Sequence, residues 1–233
     1  MKKYLDIVNK IHTSPYKLTI VSSGGGTNAI SALLKVPGAS NTILESYIPY
    51  SKESMDSFLN KKPDRYCSLE TCLSMAANAF KKSKQIDPKS KTKHLIGVAI
   101  TANLATTYEK KGDHKFFIVI QTHDCTKYLK CYLEKGKRKR EEEEELITAC
   151  VISLLAKSCG FEFSLPLVEE EIIIDQVDAE KPWKKLFNNK VGYISNNKNN
   201  PELIFPGSFN PLHEGHIKMK ELAEKKTGMH TTF

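Results

Sequence analysis

Two apolar, β-branched segments in the middle of the chain, followed by a third segment that can return as a hairpin arm, place the strongest constraint on its fold. His94–Thr101 and Lys115–Thr122 have the composition of central strands, and Thr126–Leu133 follows the second of them after the turn residues His123-Asp124. Branched and aromatic side chains favour strands because they pack well on a pleated surface. The short connection predicts that the last two segments pair as a hairpin, so the chain must build a sheet.

Helical patterns surround these strands and predict an α/β protein with a mixed sheet. A further strand is predicted at Lys17–Val21, directly before the glycine loop Gly24–Gly26. Five glutamates, Glu141–Glu145, favour the start of a helix more than a binding patch, because acidic groups stabilise the amino end of the helix dipole. The spacing of apolar residues predicts four helices, at Tyr4–Ile11, Asn28–Lys35, Ser68–Lys82 and Glu141–Ser158.

Short matches carry a resemblance between residues 17 to about 160 and a known family. Val21-Ser22-Ser23-Gly24-Gly25-Gly26-Thr27 stands where the CinA (competence/damage-inducible) family has Glu-Ser-Cys-Thr-Gly-Gly, and Val36-Pro37-Gly38-Ala39-Ser40 stands where it has Val-Pro-Gly-Ser-Ser. The chain is therefore similar to a family whose members include nicotinamide-mononucleotide amidases. The resemblance implies a three-layer α/β domain with a mixed sheet, and it places Ser23 at the nucleophile.

The amidase site implied by this resemblance is damaged. Tyr50 aligns with a tyrosine of the family, but Met55 stands where the family has the lysine that activates the serine, and a thioether cannot take up a proton. A serine hydroxyl needs such a base, which leaves Lys52 as a substitute. We therefore expect a catalytically silent domain, with amide hydrolysis by Ser23, Tyr50 and Lys52 as the alternative.

The glycine loop Gly24–Gly26 could still offer backbone amides to an anion, because it lies between a strand and a helix. The alternative is that the glycine loop is an ordinary connection that binds no ligand. Two family glycines are replaced by side chains within Thr101–Ala105, and these side chains would crowd a phosphate site lined by backbone.

A second motif, Gly207–His216, predicts a crossing from a strand to a helix near the carboxyl end. Glu202–Phe205 has the composition of a short strand and Glu214–Lys226 that of a helix, whose Ile217, Leu222 and Ala223 are expected to face inward. The unpaired amides at the start of a helix favour anions. Two imidazoles at that position would donate to phosphate oxygens.

This motif resembles the HxGH signature of the nucleotidyltransferase superfamily, and its opening is most similar to the nicotinamide or nicotinate mononucleotide adenylyltransferases. The resemblance implies that His213 and His216 contact the phosphates of ATP, which binds with Mg2+, and that Gly215 lets the base approach. It also implies the first strand, turn and helix of a Rossmann-like domain. The remaining residues implied to bind nucleotide are Gly207, Ser208, Phe209 and Asn210.

We accordingly predict a CinA-like domain at 1–165, a linker with a possible extra strand at 166–200, and the N-terminal fragment of a nucleotidyltransferase domain at 201–233. The superfamily's second motif contains serine and arginine, and Lys218–Phe233 contains neither. The leading hypothesis is adenylyl transfer from ATP to a mononucleotide, with this polypeptide inactive alone. A non-catalytic module for nucleotide binding or assembly is a third possibility, from a different functional class.

Composition and charge narrow the classes of partner that the chain can bind. No apolar run approaches the ~20 residues of a membrane span, so we expect no membrane partner and a cytoplasmic protein, with a homo-oligomer left open. The net charge of +8 is scattered, and the basic run Lys135–Arg140 leads directly into glutamates, which makes nucleic acid an unlikely partner. The six cysteines show no metal-binding spacing, so we expect reduced thiols and no metal site. Trp183, the single tryptophan, is expected to be buried.

Overall fold

The computed structural model describes residues 4–108, 110–194, 202–207, 209 and 211–233. The chain divides into two compact units, Met1–Glu180 and Lys181–Phe233. The first unit contains, in order, α1 (Leu5–His12), β1 (Lys17–Ser23), α2 (Thr27–Leu34), β2 (Ile43–Tyr47), α3 (Lys52–Leu59), α4 (Leu69–Ile86), β3 (Leu95–Asn103), β4 (His114–Gln121), β5 (Cys125–Leu133), α5 (Arg140–Ser158) and β6 (Ile172–Asp178).

The first unit is a mixed six-stranded sheet in the order β2-β1-β3-β4-β5-β6. β1 runs parallel to β2 and to β3, and the remaining neighbours are antiparallel. Alternate side chains of β3 point to opposite faces, so Val98 joins the core with α1, α2 and α5, whereas Ala99 joins the core with α3 and α4. Helices cover both faces, which confirms the three-layer α/β fold and the mixed sheet.

The strongly patterned elements form where the sequence predicts them. The hairpin of β4 and β5 is present, and Ser68 caps α4 because its hydroxyl accepts a hydrogen bond from Thr71 N at 3.2 Å. The sequence missed β2 and α3. β2 is a partly exposed edge strand, and α3 buries only Met55 and Leu59, so neither shows a clear apolar period.

The strand β6 belongs to the sheet, although the sequence places it in a linker as a possible strand. It pairs antiparallel with β5 from Cys131↔Ile172 to Cys125↔Asp178. The segment that precedes it is fixed by Glu170, whose carboxylate accepts two hydrogen bonds from the Arg138 guanidinium, one of them from Nη2 at 2.8 Å. This bidentate pair holds the segment between α5 and β6 against the end of β5.

We expect the Arg138–Glu170 pair to make the stability of the first unit depend on acid pH. The guanidinium hydrogen bonds lower the pKa of Glu170 to about 2, whereas a glutamate in an unfolded chain titrates near ~4.3. Because the folded pKa is the lower one, the stabilisation is present above pH ~4.3 and is lost as the pH falls towards 2. Urea midpoints measured between pH 7 and pH 2.5 should therefore fall less steeply for Glu170→Gln than for the parent chain.

The matched control is Glu171→Gln, which removes an exposed neighbouring carboxylate. Its pH profile should follow the parent chain. Superimposable profiles for all three proteins would show that the bidentate pair contributes nothing to acid stability.

The second unit contains α6 (Lys181–Phe187), β7 (Leu203–Ile204), α7 (Glu214–Thr227) and β8 (Thr231–Thr232), with β7 and β8 parallel. The prediction that Ile217 and Leu222 face inward is wrong, since their side chains are 42% and 53% exposed. The described strands of this unit have two residues each and offer no sheet surface to cover α7. The expected burial of Trp183 is also wrong: it is 58% exposed on α6, a seven-residue helix with no buried residue.

Candidate functional sites

The glycine loop connects β1 to α2 and packs directly against the end of β3. Gly24 and Gly26 have φ angles of +77° and +90°, which residues other than glycine rarely adopt. A Cβ on Gly24 would lie 2.0 Å from the Ala102 carbonyl oxygen, and one on Gly25 would lie 2.5 Å from Leu104 Cδ1. Ala102 and Leu104 thus fill the space on that side of the loop. Leu104, one of the two side chains that stand where the family has glycine, crowds the loop as expected, whereas the contact at Gly24 is made by a backbone carbonyl.

A carboxylate of the same chain occupies the loop. Gly26 N donates a hydrogen bond to Glu144 Oε2 at 2.7 Å, across 118 positions of sequence. Arg140, one turn earlier on α5, donates to the Gly24 and Ala105 carbonyl oxygens at 3.0 and 3.3 Å. The predicted anion loop therefore offers the Gly26 amide to an internal anion, and α5 ties the loop to the end of β3.

Three successive glutamates at the start of α5 serve as acceptors for other elements, which the sequence did not reveal. Beside Glu144, Glu145 accepts from the Tyr4 hydroxyl at 2.8 Å. Glu143 is only 1% exposed; its Oε2 accepts from Ala105 N at 2.6 Å, and its Oε1 lies 3.0 Å from His114 Nδ1. The available signal was periodicity, because Glu143 lies on the same helical stripe as the buried Leu146.

The candidate amidase residues do not form a catalytic pair. Ser23 Oγ donates to the Pro49 carbonyl oxygen at 2.9 Å, its one hydrogen-bond partner in the described part of the chain. A peptide carbonyl is not a base, so it cannot activate the serine. Lys52 Nζ lies 6.0 Å from the centre of the Tyr66 ring, and the Tyr50 side chain is 72% exposed.

Met55, at the position of the family's lysine, is buried in the core. Its side chain is 1% exposed and belongs to the cluster with α4. A charged lysine placed there with no other change would lose its hydration. The base is therefore replaced by a packing residue.

The two histidines of the second motif lie together at the start of α7. His213 caps the helix, with its Nδ1 accepting a hydrogen bond from Gly215 N at 3.2 Å. His216 Nδ1 accepts from His213 N at 3.4 Å, and the two rings stack with their centres 3.7 Å apart. A nitrogen that accepts carries no hydrogen, so this geometry assigns the proton of each neutral ring to Nε2. Both rings retain an Nε2–H donor.

Aromatic packing supports this pair. The Phe209 ring meets His216 edge-on at 5.0 Å and also packs against Phe233 at 4.7 Å. A Cβ on Gly207 would lie 2.6 Å from Phe209 Cζ, and one on Gly215 would lie 3.1 Å from His213 Nδ1. Both glycines thus allow rings to approach the backbone. The other two residues predicted to bind nucleotide lie outside the described residues: Ser208 and Asn210.

Metal-binding clusters and membrane-spanning helices are both absent from the described residues. No three histidine, cysteine, aspartate or glutamate side chains lie close enough together to hold a metal ion in that part of the chain. Each helix described is too short or too polar to cross a lipid bilayer.

No protein family and no curated protein matches the sequence. Solved structures do match. The competence/damage-inducible protein CihA from Agrobacterium tumefaciens is 16% identical with a TM-score of 0.51, over 66% of this chain and 93% of that protein. A CinA superfamily protein from Enterobacter cloacae is 14% identical with a TM-score of 0.54, over 66% and 91%. One from Klebsiella pneumoniae is 10% identical with a TM-score of 0.54, over 68% and 96%. At these identities the likeness shows a CinA-like fold and nothing further.

Proposed function

We propose that this is a cytosolic protein whose C-terminal unit binds the phosphates of ATP for adenylyl transfer, and whose CinA-like unit is catalytically silent. The observation that carries the proposal is the orientation of His213 and His216. Each Nδ1 accepts a hydrogen bond from a backbone amide of the turn, so both Nε2–H groups remain available as donors. Two adjacent donors at the amino end of a helix suit a polyphosphate chain, which presents several acceptor oxygens and negative charge.

The proposed reaction needs no covalent bond to the protein. A phosphate oxygen of the mononucleotide attacks the α-phosphorus of ATP, and the bond from that phosphorus to the oxygen bridging to the β-phosphate breaks. Pyrophosphate leaves with that electron pair. Mg2+ arrives with ATP as part of the substrate. Negative charge builds on the phosphate oxygens during transfer, and hydrogen bonds from His213 and His216 would stabilise that charge.

The mononucleotide substrate we propose is that of nicotinamide or nicotinate, following the resemblance of residues 207–216. The amidase alternative is disfavoured by the geometry of Ser23, whose hydroxyl donates to a carbonyl oxygen, and by the burial of Met55. Glu144 adds a further obstacle, because a phosphate approaching the Gly26 amide would have to displace a carboxylate held at 2.7 Å.

Calorimetric titration of the chain with ATP and Mg2+ tests the histidine site. We expect binding that weakens about tenfold in His213→Ala and in His216→Ala, since each variant loses one hydrogen bond to a charged group, which is worth ~1.5 kcal/mol. The matched control is His230→Ala, an exposed histidine of the same unit that lies 3.1 Å from Glu224 and outside the motif. Failure to bind ATP, or equal weakening in all three variants, would refute the proposal.

Two product assays separate the remaining alternatives. With nicotinamide mononucleotide, ATP and Mg2+, we expect no dinucleotide above the protein-free control, because residues 218–233 supply no arginine to share the phosphates. Dinucleotide formation would mean that the site is complete within this chain. Ammonia release from nicotinamide mononucleotide that is lost in Ser23→Ala would restore the amidase alternative.

A further inference from the structure

A cleft of about 610 Å3 opens in the first unit, on the face of the sheet covered by α4. Its floor is formed by two cross-strand pairs of the β4–β5 hairpin, Lys115↔Tyr132 and Phe117↔Lys130. Its wall is the segment between α3 and α4 together with the first turn of α4. The floor is rigid, because each pair is set by the register of the hairpin. The glycine loop, Ser23, Tyr50 and Lys52 do not line this cleft.

The cleft gathers more cationic than anionic side chains. Five cationic side chains line it, against two carboxylates, Asp64 and Glu70. Within the described part of the chain none of the five forms an ion pair, whereas Lys17, Lys137 and Arg138 elsewhere each lie within 4.0 Å of a carboxylate. The five cations are Lys61, Lys62, Arg65, Lys115 and Lys130.

Holding these cations together works against folding, because like charges repel. An anionic ligand would remove that repulsion and gain a hydrogen bond from each ammonium or guanidinium group it contacts. The Arg65 guanidinium adds a planar fork of donors that matches phosphate oxygens. The arrangement is therefore complementary to a compact ligand with several negative charges.

We propose that this cleft binds a small phosphorylated molecule with two or more negative charges. Its volume lies within the range of pockets for small molecules, roughly 300–1,000 Å3, which suits a compact ligand. The inference rests on the first unit alone and does not depend on adenylyl transfer by the second.

The test is calorimetric titration of the full chain with inorganic pyrophosphate. The chain carries His213→Ala and His216→Ala, so that the proposed triphosphate site cannot contribute. We expect saturable binding that weakens about tenfold or more when Lys115→Gln and Lys130→Gln are added. Lys89→Gln with Lys93→Gln is the matched control, because it removes two exposed cations outside the cleft, and we expect it to change the affinity by less than twofold. Urea midpoints for each variant verify that the fold is retained.

Three results would overturn the inference. One is the absence of saturable pyrophosphate binding up to millimolar concentrations. Another is an equal loss of affinity in the cleft pair and the control pair, which would indicate general attraction to a basic surface. The third is binding of citrate as tight as that of pyrophosphate, which would show selection for charge without selection for phosphate.

Discussion

Replacing Gly97 with alanine is expected to lower the free energy of unfolding of the first unit by about 3 kcal/mol. Gly97 lies in the central strand β3, between Thr19 of β1 and Gln121 of β4. A Cβ there would lie 2.3 Å from the Ala76 carbonyl oxygen and 2.3 Å from the Phe80 amide nitrogen. These are backbone atoms of α4, so no side-chain rotation relieves the overlap and the helix must move away from the sheet. The urea midpoint followed by far-ultraviolet circular dichroism measures the loss.

The matched control is Gly112→Ala, in the connection between β3 and β4. Among the described residues, a Cβ on Gly112 would meet only Asn103, whose Nδ2 would lie 3.6 Å away, which is an ordinary contact. Alanine reduces the conformational entropy of the unfolded chain at both positions, which by itself stabilises by ~0.4–1 kcal/mol. We expect Gly112→Ala to change stability by no more than that amount. A Gly97→Ala midpoint equal to that of Gly112→Ala would show that α4 adjusts at little cost.

The sequence was most informative where one element alone buries its side chains. β3 and β4 are almost continuously buried, so their apolar runs predict strands without knowledge of their partners. The predicted capping of α4 by Ser68 is equally local, since the bond spans three residues. Local chemistry of this kind can be predicted from the printed sequence.

Long-range partners account for most of what the sequence missed in the candidate sites. Glu144 is identified as the ligand of the glycine loop only when α5 is placed beside α2, 118 positions away in sequence. The electropositive cleft likewise needs the α3–α4 connection and the β4–β5 hairpin to meet. Neither juxtaposition leaves a pattern along the chain. The run of five glutamates indicates only a helix start, because their favourable interaction with the helix dipole is enough to explain the run.

The predicted burial of side chains in the second unit is wrong for a different reason. Its helix α7 begins at the expected residue, Glu214, and ends at Thr227, one residue beyond the expected end. The cap at His213 and Gly228, whose φ angle of +71° suits a helix end, explain these bounds. Burial of Ile217 and Leu222 also needs a surface to pack against, and two-residue strands provide none. Local periodicity thus predicts that a helix forms, whereas burial depends on the elements around it.

Replacing Glu143 with alanine is expected to lower the free energy of unfolding by about 3 kcal/mol, because it leaves one buried and one half-buried donor without a partner. The Ala105 amide donates to Glu143 Oε2 at 2.6 Å, and His114 Nδ1 lies 3.0 Å from Glu143 Oε1. His114 is 7% exposed and Glu143 is 1% exposed, so water cannot readily replace the lost carboxylate. The measurement is again the urea midpoint, with hydrogen exchange of the Ala105 amide as a local readout that should accelerate.

Glu141→Ala is the matched control, since it removes an exposed glutamate two residues earlier on the same helix and leaves the Glu143 hydrogen bonds intact. We expect it to cost less than ~0.5 kcal/mol, as is usual for surface positions. If the run of glutamates acted only through the helix dipole, the two variants would lose similar amounts of stability and Ala105 exchange would not change. A large loss confined to Glu143→Ala would instead show that this carboxylate fastens the end of β3 to α5, the same junction at which Arg140 and Glu144 hold the glycine loop.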